Sequence, residues 1–357
     1  MEEKQEQKNL EIVDTEDKKE ISQAEENVAS ENEKTSSKGK KRYFRILPYV
    51  LVLVPCIALG VFAGVEIKKY FGGYEDVDYD GIDNDSLYPN YDKVYKKYTE
   101  AKSKGSDFTK LLTPTEMAES AFCLIQKEEK VFSQGIGEAT ASIVDQQIRS
   151  TTVQNGNQFF EESISHSSMI DLADRMYQVP TSDGKDCKVT MYVGKTDNGN
   201  VNKGVFEGNG TEYSGAEYIA HMGRLLSTPT SYIVSDKTVL VGEKSGNMYD
   251  ITKASKTSDG YTVDIELNAT YGVSAYVIQM QTISDLATKP SFFYCHLTFD
   301  LDSDLNLKSI TSYESYMAKT KMGASSKVTG KMRVVYERGG DYSIPSLNEP
   351  CTYRSEM

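Results

Sequence analysis

Three histidines, five cysteines and one run of alternating aspartates are the side chains through which this chain of 357 residues could do chemistry. His166, His221 and His296 lie far apart, and His166 and His296 fall in runs that read as strands, so the catalytic design their spacing leaves open is a hydrolase built from distant parts. That design needs a nucleophile within reach of a base. The local signatures of such sites are missing: the sequence has no Gly-x-Ser-x-Gly elbow, no His-Glu-x-x-His, no phosphate-binding glycine loop and no Cys-x-x-Cys. The expectation is a non-catalytic protein, with no catalytic, cofactor-binding or metal-binding residue assigned.

Asp300, Asp302, Asp304 and Asn306 resemble the start of a calcium loop. The sixth position of that loop calls for Gly and the twelfth for a bidentate Glu, and here they are Leu305 and Thr311. A strand end running into a turn explains the alternation instead, with Leu301, Ser303 and Leu305 on the face opposite the aspartates. Cys56 stands in an apolar run, and Cys123, Cys187, Cys295 and Cys351 follow it. Four such cysteines permit two disulfides in three connectivities. Cys123 and Cys295 fall where a buried thiol packs equally well, whereas Cys351, beside Pro350, is placed to pin the C-terminal tail; at least one disulfide bond is expected.

The elements that must position these groups begin with a sharp change in composition. Residues 1–45 are polar and acidic, with too little apolar surface to offset the entropy of ordering, and read as a disordered cytoplasmic tail. Lys38, Lys40, Lys41, Arg42 and Arg45 then precede residues 46–65, which are apolar apart from one Tyr, two Pro and small residues. Twenty residues at about 1.5 Å each span the roughly 30 Å of a bilayer core, so this run is expected to be a single-pass transmembrane helix. Basic residues before it and acidic ones after it put the N-terminus in the cytoplasm and the C-terminal domain outside the cell membrane. The run starts too late and is too long for a cleaved signal, and Pro55 stands where a lipidated Cys56 would need a small neighbour. Gly60 and Gly64 make a small-xxx-small pair through which two copies could approach as a homo-oligomer.

Residues 66–91 read as an acidic stalk and 92–357 as an extracytoplasmic β-rich domain. Lys and Arg number 40 against 53 Asp and Glu, a formal charge of −13, which argues against nucleic acid as a partner. Residues 92–104 suggest an amphipathic helix ended by Gly105. Thr113-Pro114-Thr115-Glu116 supplies a capping box with Pro at the first helical position, and Met117, Ala121, Leu124 and Ile125 form the apolar face behind it. A second box, Ser214 with Glu217, opens a helix carrying Tyr218, Ile219, Met222, Leu225 and Leu226, ended by Pro229.

Elsewhere the period is two. Strands are expected over 136–152, 159–166, 170–176, 188–195, 201–206, 232–234, 238–242, 248–251, 261–267, 276–281, 292–301, 305–316 and 328–336, with tight turns at Asn155-Gly156 and Asn198-Gly199. Strands joined so tightly are antiparallel. The fold class is mainly β: a large curved antiparallel sheet, half-barrel-like, covered by two or three helices and preceded by the transmembrane helix.

The rhythm of Phe132-Ser133-Gln134-Gly135, the alternating strand 139–149, Gln154-Asn155-Gly156-Asn157-Gln158-Phe159, the strand 292–299, the turn 300–310 and Tyr313-Glu314-Ser315-Tyr316 resembles that of bacterial LolA/LppX-type carriers. The resemblance implies a half-barrel whose concave face, closed by helices, holds acyl chains or lipid-linked cargo. The uncleaved anchor departs from a shuttling carrier. The expected function is thus a membrane-anchored binding protein for a lipid or other apolar or amphipathic ligand of a bacterial cell envelope, in a pocket lined by Leu, Ile, Val, Met and Phe. The alternative is a structural or assembly component of an envelope complex, with a filled core and an exposed patch for a protein partner.

Overall fold

The computed structural model describes residues 77–353 apart from 106, 142–143, 169, 242–251, 285, 320, 322–324 and 352. The expected tail 1–45, the transmembrane helix 46–65 with Cys56, Gly60 and Gly64, the stalk up to residue 76 and the expected strand 248–251 lie outside the described residues. No helix among the described residues is long and apolar enough to cross a membrane.

One antiparallel sheet of twelve strands carries the domain. The strands are β1 Lys130–Ala141, β2 Val144–Asn155, β3 Gln158–His166, β4 Asp171–Pro180, β5 Cys187–Asp197, β6 Asn200–Phe206, β7 Thr211–Ser214, β8 Lys253–Lys256, β9 Gly260–Leu267, β10 Ser291–Asp302, β11 Leu307–Lys319 and β12 Ser325–Arg338. From β1 the chain meanders outward to β6; from β8 it meanders back to β12, which pairs with β1 in the register Ile136↔Arg333. The sheet is open, with β6 and β8 at its ends and β7 paired to β5. Local chemistry explains the hairpins. Asn198 and Gly199 both take positive φ, 55° and 80°, as a two-residue turn between right-twisted strands demands.

Four helices of eight residues or more accompany the sheet: α1 Tyr91–Ser103, α2 Pro114–Gln126, α3 Gly215–Met222 and α4 Ser274–Ile283. The capping boxes at Thr113 and Ser214 are both formed. On the inner face, Met117, Ala118, Phe122 and Ile125 of α2 pack against Val263, Ile265, Leu297 and Phe299 of β9 and β10, with the Phe122 and Phe299 rings edge to face at 5.4 Å. Tyr218 and Met222 of α3 pack against Met176, Val189 and Met191. On the outer face the C-terminal segment covers Val153 and Phe160 with Tyr342, Ile344, Cys351 and Tyr353.

Several expectations are corrected. Residues 276–281 belong to α4 and not to a strand: Ser274, Ala275, Val277 and Met280 are buried at helical spacing, and Val273 at its start offers no side-chain cap to signal a helix. α3 ends at Gly223 in the left-handed conformation, φ 80°, so Leu225 and Leu226 lie in the following loop rather than on the helix. The run 136–152 belongs to two strands, β1 and β2. Residues 232–234 form no strand, and the described residues 238–241 contribute a single bridge, Val239↔Leu267. Within the expected stalk, Tyr79 is 5% exposed and joins the α2 core, so the packed domain starts before residue 92. Cys123, Cys187 and Cys295 lie on α2, β5 and β10 and Cys351 in the C-terminal segment, and among the described residues no disulfide joins them.

Candidate functional site: a cavity on the inner face of the sheet

The inner face changes character along the sheet. Over β9 and β10 its side chains are mostly large and apolar and meet α2 directly. Over β1, β2 and β3 the inner positions carry Ser133, Ser150, Thr152, Ser163 and Ser165, while at Gly135 the place of a side chain is taken by Met332 and Ser150. Small side chains cannot reach the covering elements. A cavity of about 260 Å³ remains, floored by β1, β2, β3, β11 and β12 and roofed by α4 and the loop from Arg224 to Tyr232. Its apolar wall includes Ile148, Phe159, Leu226, Met280, Met332 and Val334. The lining is therefore mixed, with polar and charged groups beside the Leu, Ile, Val, Met and Phe expected from the sequence.

Two polar groupings line it. Arg224 pairs with Glu161 at 2.6 Å, donates through Nε to Ser231 Oγ at 2.8 Å, and donates to the Leu225 carbonyl at 3.1 Å. Opposite, Glu314 of β11 accepts hydrogen bonds from the Tyr232 hydroxyl at 3.0 Å and the Tyr276 hydroxyl at 3.4 Å. Burial pushes the Glu314 carboxyl up to about 7, an effect the two tyrosine hydrogen bonds only partly offset. Asp174, on the neighbouring inner position of β4, is likewise pushed up to about 7, first by burial and then by the Glu161 charge.

The sequence-level candidates lie elsewhere. His296 is held between Glu266, at 3.2 Å, and Asp264, at 3.5 Å. Burial alone would lower its pKa, but the two carboxylates outweigh it and hold it up at about 9. His166 sits 3.5 Å from Asp171, and His221 stacks on Tyr213 at 5.0 Å. The three rings contact separate sets of residues, and none lines the cavity. Asp300, Asp302 and Asp304 do not converge either. Asp302 accepts from the backbone amides of Asp304 and Asn306, as a turn requires, whereas Asp300 and Asp304 face Lys308 and Lys102. Among the described residues no group of acidic, histidine or cysteine side chains is arranged to hold a metal ion.

The residues that shape the cavity escaped the sequence reading. One signal was present: Ile310, Ser312, Glu314 and Tyr316 share the inner side of β11, so Glu314 is a carboxylate on a face that is otherwise covered.

No family model matches the chain, and no curated protein matches it. Among solved structures, a DUF1329 family protein from Desulfovibrio piger is similar at 6% identity, covering 65% of this chain and 92% of that one, with a TM-score of 0.20. An N-terminal dehydratase from the difficidin assembly line is similar at 9% identity, covering 62% of this chain and 82% of that one, with a TM-score of 0.11. Superpositions this loose establish no shared fold.

Proposed function

We propose that this chain is a membrane-anchored, non-catalytic binding protein of the cell envelope that holds one amphipathic ligand, a lipid or a lipid-linked precursor, on the inner face of its sheet. The cavity carries the proposal. A sheet that only had to fold would fill its inner face throughout, as β9 and β10 do with α2; over β1 to β3 serine and threonine line a space that stays open. At about 260 Å³ the void is slightly below the roughly 300 Å³ at which small-molecule pockets begin, a size suited to one chain or one end of an amphiphile. Apolar and charged groups on the same lining suit a ligand with both characters. The LolA/LppX-type carriers, whose strand rhythm the sequence resembles, use the same general device.

Native mass spectrometry of the purified protein, paired with solvent extraction, tests this reading. An acyl-bearing or alkyl-bearing species at close to one per protein is the expected result. A clean unliganded mass, unchanged after incubation with total envelope lipid, would overturn it in favour of an assembly role through protein contacts.

A further inference from the structure

The charged side chains lining the cavity are Glu161, Arg224 and Glu314. Two of them cancel, because Arg224 pairs with Glu161 at 2.6 Å. Three of its four other guanidinium donors go to Ser231 Oγ and to the carbonyls of Leu225 and Thr228. An anionic headgroup entering the cavity would therefore find an arginine already neutralised and with one N–H left.

Glu314 is the group left over. It is 8% exposed, and among the described residues no Lys or Arg pairs with it. Its register partners across β10 and β12 are Cys295 and Gly330. Gly330 leaves the space the carboxyl needs, since a Cβ there would stand 3.2 Å from Glu314 Oε1. A carboxylate has about four acceptor sites, and here two tyrosine hydroxyls occupy one on each oxygen. Burial raises the pKa values of Tyr232 and Tyr276 far above the usual tyrosine range, so both remain donors. The result is an oriented, buried carboxyl group with acceptor capacity to spare and no cation to neutralise it.

We infer that Glu314 is the headgroup-recognition residue of the cavity, and that the ligand class is an amphiphile bearing an ammonium group, its N–H donors seated on Glu314 and its chain against Ile148, Met280 and Met332. This rests on the reading of the cavity as a ligand site and names the chemistry it selects. The ammonium takes the place of the proton that burial otherwise keeps on the carboxyl. The titratable groups facing Glu314 from the packed elements are Tyr232 of the roof loop, Tyr276 of α4, Cys295 of β10 and Tyr316 of β11, none of them cationic. Ligand and proton therefore compete for one site.

The test uses the full chain in lipid nanodiscs and isothermal titration at pH 8 with octylammonium, octanoate and 1-octanol, empty nanodiscs being subtracted. Octylammonium is expected to bind about ten-fold tighter than octanoate or more, as a charge-assisted hydrogen bond supplies. Glu314→Gln, which keeps the shape, should remove that preference, so that octylammonium binds no tighter than octanoate. Should that variant fail to fold, the unaltered protein serves: octylammonium affinity should fall about ten-fold between pH 8 and pH 6 as the proton competes, with 1-octanol affinity constant. Equal affinity for octylammonium and octanoate, or a preference that survives Glu314→Gln, overturns the inference while leaving the cavity as a binding site. Failure of all three probes to bind overturns the cavity reading with it.

Discussion

Arg175 of β4 and Glu162 of β3 are register partners on the outer face of the sheet, and each side chain of this ion pair is 1% exposed. Arg175 Nε donates to Glu162 Oε2 at 2.7 Å, and its Nη1 donates to the carbonyls of Ser346, Leu347 and Glu349 at 2.8, 2.8 and 2.9 Å. The Tyr353 hydroxyl returns to Glu162 Oε1 at 3.2 Å. One guanidinium thus neutralises a buried carboxylate and holds the C-terminal segment over the outer face.

Removing that guanidinium leaves Glu162 buried and unpaired, which costs about 3–5 kcal/mol. Arg175→Met should lower stability by that amount and make residues 341–353 the first site of limited proteolysis within residues 77–353. Changing Glu162 to Leu in the same chain should recover much of the stability, because the pair's desolvation is then relieved, but not the protection of the segment. A single variant with unchanged proteolytic order would show that apolar contacts alone hold the segment in place.

The buried ionisable groups set a pH profile with a definite sign. Burial raises Glu119, Asp174 and Glu314 to about 7. Their unfolded values are near 4, so between about pH 4 and pH 7 the folded protein keeps protons the unfolded chain has lost, and stability falls as pH rises through that window. His296, held up at about 9, gives stability that is complete below about 6.5 and is lost as pH rises through 9. Asp264 runs the other way: burial opposes its charge, but His296 and Thr298 outweigh burial and lower its pKa, so its contribution is present above about pH 4 and lost below. Urea unfolding from pH 4 to pH 9 should therefore show greatest stability at the acid end, near pH 4, and a fall towards pH 7. A maximum at pH 8 would mean these carboxyl groups are ionised and solvated in the folded state.

The elements visible in the sequence were those whose signals are local. The Thr113 hydroxyl accepts from the Glu116 amide at 3.2 Å and the Glu116 carboxylate from the Thr113 amide at 2.8 Å, all within three residues, and Asn198-Gly199 turns within two. α4 was missed for the same reason, since Val273 provides no cap and its buried residues pack on more than one side. The site is non-local: Tyr232 reaches Glu314 across 82 positions, and Arg224 reaches Glu161 across 63. Ser133, Ser150 and Ser163 read as ordinary polar strand residues, because a sequence records which side chains are small and not what fails to reach them.

His296 supports the region behind β9 and β10. Replacing it with Leu leaves Glu266, itself 3% exposed, and the half-buried Asp264 without their shared cation. A loss of about 3–5 kcal/mol is expected at pH 7. The loss should shrink at pH 5, where the orphaned carboxyls can take up protons. Thermal unfolding of the two proteins at both pH values checks this, and an equal loss at each would locate the effect in packing instead of charge.

The cavity makes a prediction in which one kind of substitution has opposite signs at two places. Ser150 lies on the inner side of β2, beside Gly135 of β1 and Ser163 of β3, with the void above it. Ala121 of α2 is 0% exposed in the filled part of the same face. Leu at Ser150 places methyl groups where no atoms stand, each buried carbon contributing about 0.8 kcal/mol, so Ser150→Leu should stabilise the protein by about 1–2 kcal/mol after side-chain entropy. Leu at Ala121 forces atoms into a close-packed region and should destabilise by about 1–3 kcal/mol. Ser150→Leu should also lose the copurifying ligand that Ala121→Leu retains, which separates space kept for a ligand from a tolerated packing defect. Stabilisation at Ser150 with ligand occupancy unchanged would place the ligand elsewhere on the molecule. Destabilisation at both positions would mean the inner face is packed throughout.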